Sequence, residues 1–224
     1  MPQVIFKIDK EKDMYNLWEL CNIDNPYVEN PEKKQLNSDY KQLWDQKNFK
    51  ECKREIEKDI QPLYSSGILN IFKDELEKAW EKVNNIYFSR LEKVIKKPIY
   101  PDKFTGYITT VGRCPYNPQD YSFMISIKRP LLQCLRTIGH ELLHIQFHNS
   151  KHWETCEKEI GKEKTNDLKE ALTVLLNLEF KDLWFVEDRG YDSHKELRNF
   201  ITNEWKKEKD FERLIDKCVE YLKK

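Results

Sequence analysis

The sequence predicts a mostly helical α+β chain, with a small antiparallel or mixed sheet packed on one buried helix and a helical N-terminal region before it. Three observations carry this. Residues 68–96 repeat apolar side chains on a 3.6-residue period. Residues 104–111 and 121–128 are rich in β-branched and aromatic side chains, as strands are. Between about Leu131 and Phe147 lies Thr137-Ile138-Gly139-His140-Glu141-Leu142-Leu143-His144-Ile145, uncharged at positions 137, 138, 142, 143 and 145. That pattern belongs to a helix buried on most of its sides.

Composition sets the outer limits. With 39% hydrophobic and 35% charged residues the 224-residue chain is polar, but 12% aromatics supply bulky core material. Lys+Arg and Asp+Glu both number 39, so nothing global favours nucleic acid or an anionic membrane as partner. No stretch reaches the ~20 apolar residues of a membrane span. The N-terminus, Met1-Pro2-Gln3-Val4-Ile5-Phe6-Lys7, lacks the apolar core of a signal peptide. The six cysteines are scattered without a CxxC pair, which points to free thiols, a reducing compartment and a cytoplasmic location.

Taken in order, Met14–Leu20 reads as helical and is broken by Asn25-Pro26 and Asn30-Pro31. Residues 36–61, charged with Tyr40, Trp44 and Phe49 at helical spacing, read as a surface helix. Ser65-Ser66-Gly67 is a turn. The long helix 68–96 carries Ile71, Phe72, Leu76, Trp80, Val83, Ile86, Tyr87 and Leu91 as its stripe, and Lys97-Pro98 and Tyr100-Pro101 end it. The character changes near residue 100, dividing the chain into a helical region, 1–100, and a core, 101–224, which could also be continuous. Phe104–Val111 is a strand and 112–118 a loop. Tyr121–Lys128 is a half-buried strand with Tyr121, Phe123, Ile125 and Ile127 on one face. Arg129-Pro130 then opens the central helix. A polar segment, 149–165, leads to a helix Asn166–Phe180 striped by Leu168, Leu172, Leu175 and Leu176. Gly190 marks a turn, Ser193-His194-Lys195-Glu196 fits a capping box, and Asp210 caps a last helix.

The chemistry centres on the HExxH spacing. Histidines four apart on a helix lie one above the other on one face, so both imidazoles can reach one cation. Glu141 projects beside them, where it can act as general base. A structural helix with a His–Glu–His surface is the plain alternative. A catalytic zinc site needs a third protein ligand and an open position. Glu170 is one candidate, although Asp167 and Glu170 could instead form a capping box. His152 is a second. His148 is a third, but another turn of helix adds ~6 Å of rise, too far for a shared ion.

The motif and the strand before it resemble the zincin metallopeptidases over about residues 104–200. The resemblance implies peptide-bond hydrolysis, one bound Zn²⁺ and a peptide or protein substrate paired as an added strand along Tyr121–Lys128. Glu170 on a following helix looks like the gluzincin arrangement, which implies His140, His144 and Glu170 as metal ligands and Glu141 as catalytic base. The run His144 to Trp153 loosely resembles the SprT-like proteases, which would favour His152. The metzincin pattern fails, because Ser150 stands where its third histidine would be. Where some gluzincins carry an aspartate four residues after the ligand glutamate, this chain has Val174; Asp167 or Asp192 could instead buttress an imidazole. Asn177 could orient a ligand. Tyr191 and His194 are the candidate donors to the developing oxyanion, with Arg113 and Arg198 as weaker sources. Cys134 lies near the face of Glu141, as a gating thiol or a packed core cysteine. From another class, the same helix could serve a catalytically inactive or regulatory zinc-binding module. The substrate, endo- or exopeptidase action and the oligomeric state are not legible.

Overall fold

The structure is a computed structural model that describes residues 1–22 and 48–224. The expected breaks at Asn25-Pro26 and Asn30-Pro31, Tyr40, Trp44 and the start of the 36–61 helix lie outside the described residues. The fold is α+β and mostly helical, with one mixed sheet of order β1-β2-β4-β3. Strand β1 (Gln3–Ile8) runs parallel to β2 (Lys103–Thr109), with Gln3 opposite Lys103 and Ile8 opposite Ile108. Strand β4 (Ser122–Ser126) is parallel to β2 on its other side, and the two-residue β3 (Tyr116–Asn117) pairs antiparallel with β4. Helix α1 (Lys10–Asn22) packs with α2 (Phe49–Ser65) in a small separate apolar cluster around Cys52 and Ile56. Gly67 turns the chain at φ 75° into α3 (Ile68–Ile95). No helix among the described residues is long and apolar enough to cross a membrane.

The N-terminal strand was not expected. Its short alternation, Val4 and Phe6 buried and Gln3 and Lys7 exposed, stabilises only through pairing with β2, a hundred residues on. β1 and α3 belong to the main core: Val4, Phe6, Leu76, Trp80, Tyr87, Phe88 and Leu91 pack there with residues from 104 to 219. The stripe on α3 is narrower than its periodicity predicts, since Ile71 is 63% and Ile86 45% exposed.

Helix α4 (Leu131–His148) is the centre of the molecule and is buried on most faces from Cys134 to Phe147. Tyr87 of α3 donates its hydroxyl to the Gly139 carbonyl at 2.7 Å. Gly139 is where Trp184 and Tyr87 close on the helix: a Cβ there would lie 2.7 Å from Trp184 Cη2 and 3.1 Å from Tyr87 Cε2. The ordinary helical gain of Gly→Ala, up to about 1 kcal/mol, is outweighed because the buried indole has nowhere to retreat. We expect Gly139→Ala to destabilise the protein by about 1–3 kcal/mol, read as a shift in urea midpoint; an unchanged midpoint would show that the indole can slide.

Four further expectations change in the structure. The strand expected over Tyr121–Lys128 is only Ser122–Ser126, because Tyr121 adopts φ 54° and cannot continue the ladder. The polar segment 149–165 is itself helix: α5 runs Lys151–Leu172 across a kink at Gly161 (φ 80°, ψ 165°). The continuation expected to Phe180 is broken at Thr173, after which α6 (Val174–Glu179) and α7 (Lys181–Trp184) follow. The capping box at Ser193–Glu196 does not form; Asp192–His194 is a 3₁₀ turn, and α8 (Lys195–Lys207) starts without a side-chain cap. The cap on α9 (Phe211–Leu222) does form, with Asp210 accepting from the Arg213 amide.

Candidate metal centre

Helix α4 presents its two imidazoles on one face, with ring centroids 4.3 Å apart. Among the described residues, one ligand atom from each of His140, Glu141 and His144 lies within 4.8 Å of the other two, close enough to hold a metal ion. A second carboxylate approaches from α5. Glu170 Oε2 is 3.3 Å from His144 Nε2 and 3.8 Å from His140 Nε2. Neither nitrogen of His144 has a hydrogen-bond partner among the described residues, although both are buried. Glu170 is therefore near His144 Nε2 without the alignment of a hydrogen bond. Glu170 thus stands beside the His140–Glu141–His144 group as a further carboxylate within reach of both imidazoles.

The spacing of these atoms tests the fit. Ligand bonds of ~2.0–2.1 Å at tetrahedral angles put donor atoms about 3.4 Å apart. The two separations, 3.3 and 3.8 Å, bracket that value. A buried nitrogen without a partner costs about 1–3 kcal/mol, and a cation bound at His144 Nε2 would remove that cost for one of the two. The donor set of two imidazoles and a carboxylate suits Zn²⁺ and its neighbours in the first transition row.

Asp188, which sequence reasoning missed, fixes the orientation of His140. Its Oδ2 lies 2.8 Å from His140 Nδ1, so His140 donates there and turns Nε2 inward. Asp167 and Asp192, the residues expected in this role, are not the partner found: Asp167 Oδ1 lies 3.2 Å from His194 Nε2, and Asp192 is an exposed residue of the 3₁₀ turn. Asp188 is 1% exposed and is itself held on every side. Arg136 Nη1 donates to its Oδ2 at 3.1 Å, Thr173 Oγ1 donates to its Oδ1 at 2.9 Å, and Arg198 Nη1 is 3.4 Å from the same oxygen. Asn177 clasps its backbone in both directions, accepting from the Asp188 amide at 2.7 Å and donating to the carbonyl at 2.8 Å. Gly190, at φ 64°, lets Arg198 pass 2.7 Å from where a Cβ would sit. The only sequence signal for Asp188 was an acid two residues before a turn glycine, in a loop with no spacing rule.

Charge follows from these contacts. Burial pulls the His140 imidazole down, but Asp188 more than offsets it, and the group titrates above its usual value. Burial and the neighbouring His140 hold His144 down at about 3, so it stays neutral. Burial raises Glu170, but His144, Lys169 and His140 outweigh it and keep it ionised. Burial, opposed only in part by His140, Lys169 and Arg129, pushes the Glu141 carboxyl up to about 7.

The remaining candidates sort by position. Asp167 and Glu170 lie well inside α5, so they form no capping box. His152 lies against Phe211, its Nε2 3.4 Å from Lys97 Nζ, away from the imidazole pair. His148 stacks on Trp153 at 4.0 Å. His194 is buried against Asp167, one turn before Glu170, with the Tyr191 ring 5.7 Å from it. Arg113 pairs with Glu19 of α1, and Arg198 is committed to Thr173 and the Asp188 carbonyl. Cys134 is a packed core thiol that donates to the Arg129 and Ser126 carbonyls; burial raises it to about 12. Two residues absent from the sequence reading stand beside His144. The Tyr116 ring is 5.3 Å from the His144 ring, and Lys169 Nζ is 2.9 Å from Glu170 Oε1 and 5.0 Å above the Tyr116 ring. Tyr116 had read as loop, and Lys169 was not singled out. The outer edge of β4 is also not open along its length. β3 covers Ser122 and Phe123, and Met124 donates to the Pro115 carbonyl. No model of a known protein family matches the chain, nor does any curated protein or solved structure, so the reading of the site rests on its own geometry.

Proposed function

We propose that this chain is a zinc-dependent hydrolase of peptide bonds with a gluzincin-like site. His140, His144 and Glu170 would hold the ion through Nε2, Nε2 and Oε2. The observation that carries the reading is the approach of Glu170 Oε2 to both Nε2 atoms, with neither nitrogen of buried His144 hydrogen-bonded among the described residues. An ion bound there would supply Lewis-acid chemistry, polarising a carbonyl and acidifying water. Everything else falls to the chain. Asp188 holds His140 in the tautomer whose Nε2 lone pair faces the site. Glu141, buried and poised near neutrality, accepts the proton of the attacking water and returns it to the leaving amine. Tyr116 joins Tyr191 and His194 as a source of a hydrogen bond to the developing oxyanion, and its ring contact with His144 favours it. The buried wall of α4 keeps bulk water from the base.

The substrate would be a peptide or protein segment. One observation favours a second reading, a zinc-binding module that recruits a partner without cleaving it: β3 and the Pro115 contact occupy part of the β4 edge along which an extended peptide would pair. The intact Glu141 favours hydrolysis, since a structural site needs no such base. The readings separate by measurement. Gently purified protein is expected to carry about one zinc per chain, and to cleave unfolded casein with activity that a chelator removes and zinc restores. Absence of metal would refute both readings; one zinc without cleavage of casein or of a mixed quenched-peptide library would leave the module.

A further inference from the structure

We propose that Lys169 is a positioning residue that restricts Glu170 to one-oxygen ligation, and so reserves the fourth position of the site for the reacting molecule. The inference rests on the metal reading above and goes beyond it. Lysine is almost never buried unless paired, yet Lys169 is 8% exposed. It is the chain neighbour of Glu170, and side chains of successive helical residues do not ordinarily face each other. Here Lys169 turns back, placing Nζ 2.9 Å from Glu170 Oε1 and 5.0 Å over the Tyr116 ring, which rests against His144. The two Glu170 oxygens are thereby divided. Oε1 forms a close ion pair with the ammonium, and Oε2 is the oxygen nearest the two imidazoles, at 3.3 and 3.8 Å.

A carboxylate with one oxygen engaged in this way cannot bring both to an ion without losing the lysine. Unclamped, it can bind through two oxygens and fill the position that a water or carbonyl needs. The clamp also sets metal preference. Three single-atom ligands plus one open position suit a four-coordinate ion such as Zn²⁺ or Co²⁺, and disfavour Ca²⁺, which takes six to eight oxygens.

The test uses purified full-length protein, stripped of metal and titrated with Zn²⁺ against a competing chelator, and separately with Co²⁺ read by visible absorption. The wild type is expected to give the intense band of four-coordinate cobalt. Lys169→Met keeps most of the stem and removes the donor. It is expected to weaken Zn²⁺ binding roughly 10- to 100-fold and to replace the intense band by the weaker spectrum of a higher coordination number. Lys169→Arg, which keeps a charged donor, is expected to recover part of both. An unchanged affinity and spectrum in Lys169→Met overturns the clamp. A weak, high-coordination spectrum in the wild type also overturns it and requires no variant to fold. Failure of the metal reading shows differently: His144→Ala would then bind Zn²⁺ as tightly as the wild type.

Discussion

Replacing Asp188 by alanine is expected to remove about 3–5 kcal/mol of folding stability, the cost of breaking a buried charge pair by deleting one partner. The size follows from how the carboxylate is used. Asp188 receives Arg136, Arg198, Thr173 and His140 and is 1% exposed. Without it, two guanidiniums face each other with no anion between them. Asp188→Asn keeps the shape and an acceptor but not the charge, and is expected to fall between the wild type and alanine. The urea midpoint at neutral pH measures both, and a loss under about 1 kcal/mol in Asp188→Ala would show that water re-enters and solvates the arginines. The pH dependence has a definite sign. Burial opposes ionisation of Asp188, but His140, Arg136 and Arg198 hold its carboxyl well below the ordinary range. A depressed carboxylate contributes fully above its unfolded value, about 3.9, and the contribution is lost as pH falls below that. The wild type is therefore expected to lose stability more steeply than Asp188→Asn on acidification below about pH 4. Because the same oxygen fixes His140, Asp188→Ala is also expected to weaken metal binding about 10- to 100-fold.

Asp188 also marks the boundary of what the sequence reveals. His140, Glu141 and His144 were legible because an i, i+4 spacing on a helix is itself a spatial statement, and because uncharged flanks report burial. Glu170 was legible only through a resemblance, since nothing local distinguishes a ligand glutamate from a cap. Asp188 and Tyr116 lie in a loop and a two-residue strand, where side-chain direction depends on packing between distant elements. The same limit hid β1, whose partner is a hundred residues away, and the first half of α5. That stretch is amphipathic too weakly to show a period, and its helix is stabilised by packing on α4 and α9 around Trp153 and Cys156. Lys169 was hidden for another reason. A lysine beside a glutamate reads as solvated surface, and only burial shows it to be structural.

Glu141→Gln is expected to lower peptide hydrolysis by about 10²- to 10⁴-fold, the range for loss of a positioned general base, while leaving one zinc per chain. Glutamine matches glutamate in shape and offers an acceptor, but its amide cannot take a proton, so the variant isolates proton transfer from packing. The buried position makes this separation clean. The carboxyl sits where desolvation, opposed by His140, raises it to about 7, and replacing it with a neutral group relieves that burial cost. Glu141→Gln is accordingly expected to be as stable as the wild type or slightly more so, a trade of stability for activity that is common at functional sites. The rate profile supplies an independent check. The base must be ionised to act, so activity falls as pH drops through the Glu141 value, and a nearby dication moves that acid limb below about 7 because it favours the carboxylate. In Glu141→Gln the residual rate should lack that limb. Retention of both the full rate and the limb would place the base elsewhere. Loss of zinc along with activity would mean instead that Glu141 is the third ligand, and that the approach of Glu170 to the imidazoles is an ion pair within the protein.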